Sequence, residues 1–211
     1  MPASKLRDGA LIFAAQFRDA DGAPHSCFLV SRDGGETWAV STPAIPAKPP
    51  TSEAQIAELS DGSLLLTMRD ESRSGKRAWA RFQPKSDLPQ GEWAAWRSEL
   101  PDSTCMASLI RHPSGTLIFS NPASSKARVG MTLRYSDDDG KTWSAGRTLD
   151  PRPSSYSCLT ILADGSIGIL YEAGDKRSDE TLVYANVTLD WIRQVNPKSN
   201  ISELNTSPEG K

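Results

Sequence analysis

The chain has 211 residues, of which 37% are hydrophobic and 24% are charged, and its formal net charge is −2. This composition predicts a soluble globular protein with a sizeable core, and the slightly acidic balance argues against nucleic acid as a partner. No apolar run approaches the roughly 20 residues that span a bilayer, and no signal-peptide core follows the N-terminus. As it stands the sequence therefore predicts a cytoplasmic protein, its location being otherwise unknown.

Four similar turns divide the chain into units of about 53 residues. Each turn carries the core Gly-x-(Leu/Ile), and the turn glycines are Gly9, Gly62, Gly115 and Gly165. Three of the turns contain Asp-Gly, which predicts a β-hairpin because glycine adopts positive φ freely and Asp bonds its own backbone. The spacings of 53, 53 and 50 residues predict a repeat architecture.

Four strand-like runs, rich in Leu, Ile, Val, Phe and Thr, can be followed in each complete unit. They cover residues 53–59, 63–69, 77–82 and, more weakly, 93–97 in the second unit, and 105–111, 116–121, 129–135 and 142–149 in the third. Each unit therefore predicts a four-stranded antiparallel meander, and a radial array of such sheets is a β-propeller. We predict an all-β propeller with about four blades; a β-sandwich is the alternative, although it does not require a fixed period.

A second repeated motif follows the turns by about 24 residues. Ser31–Trp38 and Ser136–Trp143 both fit the pattern Ser-x-Asp-x-Gly-x-x-Trp, known as an Asp box, and residues 86–93 look like a decayed copy. The Asp carboxylate can accept turn amides while the Trp covers the turn. Asp33 and Asp138 are therefore predicted to staple turns and not to take part in catalysis.

The cysteines and histidines give no sign of a metal site or a cofactor. Cys27, Cys105 and Cys158 are odd in number and far apart, which argues against disulfides and zinc and predicts buried apolar side chains. His25 and His112 are the only histidines, so a His-rich metal site is excluded and a Ser-His-Asp triad is discounted.

Polar side chains that look out of place in β-runs fall at one end of the predicted blades. We call the end with the Asp-Gly turns and Asp boxes end B, and the opposite end, where first strands start, end A. The residues at end A are Glu53 and Tyr156 at first-strand starts, Arg69 and Glu172 at second-strand ends, and Arg128 at a third-strand start. Two carboxylates, a phenol and two guanidinium groups near the axis predict an anion-binding active site.

These residues, in their order and spacing, resemble the second half of the bacterial exo-α-sialidases, which are six-bladed propeller neuraminidases. The resemblance covers residues 6 to 194 and is carried by 52–69, the two Asp boxes, Ser120-Asn-Pro122 followed by Arg128, and Tyr156 with Leu170-Tyr-Glu172. It implies a retaining glycoside hydrolase that releases terminal sialic acid from sialylated glycans.

The resemblance also implies a role for each residue at end A. Arg69 and Arg128 correspond to the second and third of three arginines that hold the substrate carboxylate. Tyr156 corresponds to the nucleophile, Glu53 to the glutamate that activates it, and Glu172 to the glutamate that steadies the first arginine. A phenol suits this role because a negative nucleophile would be repelled by the carboxylate on the anomeric carbon.

The sequence departs from the family pattern in its first half. The family's first arginine and its acid/base aspartate have no counterpart here, and four units cannot supply six blades. Residues 1–194 are therefore predicted to form a partial propeller, and the polar stretch 195–211 a disordered tail. A truncated sialidase, a mis-started gene model, and a protein whose propeller is completed by another chain or an N-terminal half all fit this pattern.

Three functions remain open on the sequence alone. The first is an exo-α-sialidase whose catalytic domain is incomplete in these 211 residues. The second is a non-catalytic Asp-box propeller that binds glycans or proteins, which the missing aspartate favours. The third is a propeller hydrolase for another glycan, which would leave Arg69 and Arg128 without a carboxylate to hold.

Overall fold

Strands dominate the computed structural model, which describes residues 4–194. The elements are β1 (Ser4–Lys5), β2 (Leu11–Arg18), β3 (Pro24–Ser31), β4 (Ala39–Val40), β5 (Thr51–Glu58), β6 (Leu64–Asp70), β7 (Lys76–Pro84), β8 (Gly91–Pro101), β9 (Ser108–Arg111), β10 (Leu117–Pro122), β11 (Val129–Ser136), β12 (Arg147–Ile161), β13 (Ile167–Ala173), β14 (Thr181–Val187) and the short helix α1 (Leu189–Arg193). In this part of the chain, no helix is both long and apolar enough to cross a membrane.

The strands form four consecutive antiparallel blades. Blade 1 contains β1–β4 and blade 2 contains β5–β8, each in sequential order, while β9–β14 form one six-stranded sheet. Strand β12 belongs to two blades, because its first part pairs with β11 and its part from Ser154 onwards pairs with β13. Blade 3 is thus β9–β11 with the start of β12, and blade 4 is the rest of β12 with β13 and β14. The predicted all-β propeller with about four blades is confirmed.

Strand β12 is longer than the sequence indicated. The prediction ended a strand at residue 149 and started the next near Tyr156, whereas β12 runs without interruption from Arg147 to Ile161. Pro151 and Pro153 lie in the middle, and a residue that precedes proline favours extended backbone. The chain can therefore pass from the outer strand of one blade to the inner strand of the next without a turn.

An apolar core lies between each pair of neighbouring blades. The first joins blades 1 and 2 and contains Phe28 and Phe82, the second joins blades 2 and 3 through Trp79 and Phe119, and the third joins blades 3 and 4. Strand β10 is buried at every position because its blade has a neighbour on both sides, so its sequence Leu-Ile-Phe-Ser-Asn-Pro shows no polar alternation.

The two terminal blades each leave one apolar face exposed. On blade 4, Leu170 and Tyr184 are cross-strand partners with exposures of 44% and 58%. On blade 1, Val40 is 57% exposed and borders an apolar cavity of about 430 Å³. Such patches on a propeller face are typical of an interaction surface.

The cysteine prediction is correct for two of the three residues. Cys27 and Cys105 are buried, but Cys158 is exposed. It pairs across the strands with Leu170 on the outer face of blade 4, which no other described blade covers. Strand alternation accounts for this, because the neighbouring Leu159 points into the core between blades 3 and 4.

Both Asp boxes staple turns at end B. Asp33 accepts hydrogen bonds from the Thr37 amide and the Ser31 hydroxyl, and the side-chain hydrogen bond from Thr37 contributes most to lowering its pKa. The Trp38 ring donates to the Gly35 carbonyl at 3.0 Å and so lies over its own turn. In blade 3, Asp138 makes the corresponding contacts.

Both histidines have structural partners. His25 lies 2.8 Å from Asp19 Oδ2 and 3.2 Å from the Ile45 carbonyl. His112 bonds the Gly165 carbonyl at 3.0 Å and joins the end-B turns of blades 3 and 4.

A fully buried ion pair stabilises blade 2 near end A. The Arg77 Nη1 atom lies 3.0 Å from Asp102 Oδ2, with side-chain exposures of 0% and 1%, and also donates to the Cys105 carbonyl. We expect Asp102→Ala to lower the free energy of unfolding by about 3–5 kcal/mol, because it leaves a buried guanidinium charge without its counter-ion. Urea denaturation followed by circular dichroism measures the loss.

The matched control is Asp87→Ala, since the Asp87 side chain is 94% exposed and lies 3.9 Å from Arg32. Its effect should stay within about 0.5 kcal/mol, as for most surface substitutions. A loss for Asp102→Ala as small as that of the control would mean that Asp102 does not neutralise Arg77.

Candidate active site

The site at end A is built around two β-bulges. The β5–β6 register shifts between Ser52 and Gln55, and the β12–β13 register shifts between Ser154 and Ser157. Each bulge lies nine or so residues before a turn glycine, at the same place in its repeat. A bulge re-aims the side chains that it carries, and here those are Glu53 of blade 2 and Tyr156 of blade 4.

The bulges also free two backbone amides from strand pairing. Glu53 has φ of 36°, in the left-handed region that residues other than glycine seldom adopt. Its N–H donates to Gln16 Oε1 of blade 1 at 2.9 Å. The Tyr156 N–H donates to Glu172 Oε2 at 3.2 Å. Side chains therefore replace the acceptors that a regular ladder would supply.

Glu53, Tyr156 and Arg69 meet across the axis, although they come from blades 2 and 4. The Tyr156 hydroxyl donates a hydrogen bond to Glu53 Oε1. The Arg69 Nη1 atom lies 2.9 Å from Glu53 Oε2 and 3.4 Å from the Tyr156 oxygen. A phenol, a carboxylate and a guanidinium group thus form one connected cluster.

The surroundings hold Tyr156 in its neutral form. Burial, which contributes most, and the hydrogen bond and negative charge of Glu53 together raise the pKa of Tyr156 to about 12. Burial works against the Arg69 charge, but the contacts with Glu53 outweigh it and the pKa of Arg69 is raised. The cluster therefore presents an un-ionised phenol whose proton already points at a carboxylate acceptor.

Arg128 lies near the ring of Tyr156. Its Nη1 atom donates to Ser155 Oγ at 3.1 Å, and its Nη2 atom donates to the Thr104 carbonyl at 3.2 Å. Its Cζ atom is 5.7 Å from the centre of the Tyr156 ring. Both guanidinium groups therefore lie beside Tyr156, where they can hold an anion.

Glu172 lies next to Tyr156 but touches neither arginine. Its Oε2 atom accepts from the Tyr156 amide, which fixes the backbone at that bulge. The role implied by the sequence, support of a further arginine, stays a prediction.

The sequence reasoning missed two side chains in this cluster. Glu71 Oε1 lies 3.0 Å from Arg69 Nε and accepts from the Ser52 hydroxyl. Its position two residues after Arg69, just beyond the end of β6 at Asp70, could have revealed it, since extended backbone carries residues i and i+2 on the same side. Gln16 gave no comparable signal, because it comes from another blade.

The formal charges of the site favour a further cation. Arg69 and Arg128 stand against the three carboxylates of Glu53, Glu71 and Glu172. Among residues 4–194, no group of three or more His, Cys, Asp and Glu side chains is arranged to hold a metal ion. With two positive and three negative groups, the cluster itself would bind an anion more strongly if a further cationic group lay beside it.

Comparison with known proteins places these features in a family. Residues 2–169 match the family described as BNR repeat-like domain. The chain is 39% identical over 180 residues to a sialidase of Bacteroides fragilis, an alignment that covers 80% of this chain and 32% of that protein. It is 35% identical over 209 residues to a sialidase of Micromonospora viridifaciens, covering 95% of this chain and 31% of the relative.

The solved structures agree with the sequence relatives. The Hadza microbial sialidase Hz136 superposes with a TM-score of 0.76 at 38% identity, covering 90% of this chain and 37% of that one. The chain thus spans about a third of the length of the curated relatives that it matches.

Proposed function

We propose a function for this chain from the premise that it belongs to the BNR repeat-like family and, within it, to the bacterial sialidases. The chain supplies the nucleophilic part of an exo-α-sialidase site, which releases terminal sialic acid from sialylated glycans. The observation that carries this proposal is the hydrogen bond from the Tyr156 hydroxyl to Glu53 beside Arg69.

In the first step, Tyr156 attacks the anomeric carbon. Glu53 takes the phenolic proton, the phenol oxygen bonds to the anomeric carbon, and the bond from that carbon to the aglycone oxygen breaks with its electron pair. The high pKa of Tyr156 means that the phenol is neutral when the anionic substrate arrives. Arg69 and Arg128 are placed to hold the substrate carboxylate by charge-assisted hydrogen bonds.

In the second step, water attacks the anomeric carbon of the glycosyl-tyrosine. The phenol oxygen leaves and recovers its proton from Glu53, while the attacking water gives its own proton to the group that protonated the aglycone oxygen in the first step, so configuration at the anomeric carbon is retained overall. The aglycone oxygen needs a proton in the first step. None of the residues described at end A is assigned that task, and the family resemblance gives it to an aspartate outside this sequence.

The exposed faces of blades 1 and 4 suggest where such groups come from. We infer that further propeller sheets, from an N-terminal half or from another chain, cover these faces and complete the ring. The Leu170 and Tyr184 pair on blade 4 and the cavity beside Val40 on blade 1 are apolar, as blade interfaces are. The same sheets would bring the first arginine and the acid to end A.

Binding of free sialic acid tests the anion site without turnover. We expect Arg128→Gln to weaken binding roughly ten- to hundredfold, since one charge-assisted hydrogen bond contributes ~1.5–3 kcal/mol. Ligand-observed NMR titration of the 211-residue chain measures the dissociation constant. The methyl ester of sialic acid, which lacks the charge, should bind about as weakly to the unchanged chain.

Arg32→Gln is the matched control, because Arg32 is an exposed arginine at end B that pairs with Asp8. It should leave sialic acid binding unchanged. Equal affinity for the acid and its methyl ester would contradict the carboxylate clamp and favour a non-catalytic propeller that binds neutral glycan groups.

A further inference from the structure

We propose that Gln16 is a positioning residue, which holds Glu53 in its left-handed backbone conformation and so aims the Glu53 carboxylate at Tyr156. Gln16 lies on β2 of blade 1, whereas Glu53 lies on β5 of blade 2. The inference rests on the proposed function only for the role of Glu53 in catalysis. The positioning itself can be measured without turnover.

The backbone of Glu53 is not held by the hydrogen-bond ladder of its own sheet, although Arg69 of that sheet contacts its carboxylate. The ladder pairs Ser52 with Arg69 and then Gln55 with Thr67, so it passes over Glu53. Its φ of 36° is strained for a side chain with a Cβ atom, and such a conformation persists only where the surroundings hold it.

Gln16 supplies the acceptor that the ladder lacks. The Glu53 N–H donates to Gln16 Oε1 at 2.9 Å. The side-chain amide of Gln16 is long enough to reach from β2 to the bulge of the neighbouring blade. Without this acceptor the Glu53 amide loses the hydrogen bond that helps to hold its left-handed conformation, and relaxation of the backbone towards negative φ would carry the Glu53 side chain with it.

Tyr156 shows the same arrangement with a different partner. It lies at the equivalent bulge of blade 4, and its freed N–H donates to Glu172 Oε2. Both partners in the central hydrogen bond are thus held by side chains that accept from their backbone amides. For Glu53 that side chain belongs to the preceding blade, so the position of the carboxylate depends on how blades 1 and 2 pack.

Loss of Gln16 should be visible at the Tyr156 phenol. The charged and titratable groups around Tyr156 are Glu53, Arg69, Arg128, Cys105 and Glu172. Among these, the Glu53 carboxylate accepts a hydrogen bond from the Tyr156 hydroxyl. Because that bond exists only while the phenol keeps its proton, Glu53 favours the neutral phenol. If Glu53 moves away, the phenol ionises at lower pH, although burial still keeps its pKa raised.

The experiment follows the four tyrosines of the 211-residue chain by NMR with tyrosine labelled at the ring Cζ carbon, between pH 7 and 10.5. Tyr156→Phe assigns the resonance. We expect Gln16→Asn, which is one methylene too short to reach, to increase the ionised fraction of Tyr156 at pH 10.5 several-fold. Gln16→Leu should do the same, and Gln16→Glu, which keeps an acceptor at the same length, should stay close to the unchanged chain.

Gln83→Leu is the matched control, since Gln83 is an exposed glutamine on β7 in the part of blade 2 near Glu92. It should leave the Tyr156 resonance unchanged, and circular dichroism at pH 10.5 reports whether each variant is folded. If Gln16→Leu does not fold, Gln16→Asn decides the question. An unchanged Tyr156 titration in a folded Gln16→Asn chain would overturn the positioning role.

Turnover separates this inference from the proposed function. In a chain joined to the missing part of a sialidase, Gln16→Asn should lower kcat about tenfold and leave KM nearly unchanged, because Arg69 and Arg128 still hold the substrate carboxylate. A shifted Tyr156 titration without any sialoside hydrolysis by the joined protein would refute the sialidase proposal alone. A normal kcat with a shifted titration would refute the catalytic importance of Gln16.

Discussion

The 211-residue chain by itself is expected to hydrolyse a fluorogenic sialoside at least about 10³-fold more slowly than the same chain joined to the N-terminal half of a related sialidase. Acid assistance to the leaving group typically contributes ~10²–10⁴-fold, and no residue at end A is assigned that role. A first arginine would add a charge-assisted contact of ~1.5–3 kcal/mol, or roughly ten- to hundredfold in binding. Both deficits act on one transition state, so they should compound.

The Bacteroides fragilis relative is a suitable donor of the N-terminal half, because it is 39% identical over the shared part. The donor half alone measures the background, and a joined protein whose acid/base aspartate is replaced by Asn should lose most of the gain. The prediction would be wrong if the lone chain turned over the sialoside robustly at low protein concentration and Tyr156→Phe abolished that turnover. That would mean that the 211 residues hold a complete site.

In the joined protein, Tyr156→Phe is expected to lower kcat by roughly 10³-fold or more, since in the proposed mechanism the phenol oxygen forms the covalent intermediate. Loss of a nucleophile can cost about 10⁶-fold in a serine protease. The expected loss is smaller here because water can capture an oxocarbenium-like transition state directly, at lower efficiency. Initial rates with the fluorogenic sialoside measure the effect.

Tyr135→Phe is the matched control, because Tyr135 lies at the end of β11 next to the Asp box of blade 3, at end B, and packs partly buried against the core between blades 3 and 4. Its kcat should equal that of the unchanged protein. The stereochemistry of the product is a second test. Without the nucleophile, the residual activity of Tyr156→Phe need not retain the configuration at the anomeric carbon. Equal rates for Tyr156→Phe and Tyr135→Phe would rule out Tyr156 as the nucleophile.

The architecture of this protein could be predicted from its sequence because it depends on local signals. The four turn glycines all have φ between 82° and 94°, as the hairpin prediction required. The Asp boxes close on themselves within eight residues, so no distant partner is needed to specify them. Because these local signals recur at a nearly constant spacing, the repeat by itself indicates a propeller.

The placement of Glu53 and Tyr156 at one end also followed from the sequence. Each lies nine residues before a turn glycine, and strand direction alone brings such positions to end A. The bulges were not predictable, because a bulge is a mismatch between two strands and is not encoded in either strand separately. The continuous β12 is a similar case, since its two halves obtain their partners from different blades.

Contacts between blades were decided only by the tertiary structure. Gln16 and Glu53 are 37 residues apart, and Tyr156 and Glu53 are 103 apart, so no local pattern joins them. The left-handed backbone of Glu53 runs against the preference of glutamate and is held by a neighbour from another sheet. Local propensity thus determined the blades, whereas their packing determined which side chains meet, because contacts distant in sequence exist only once the blades are assembled.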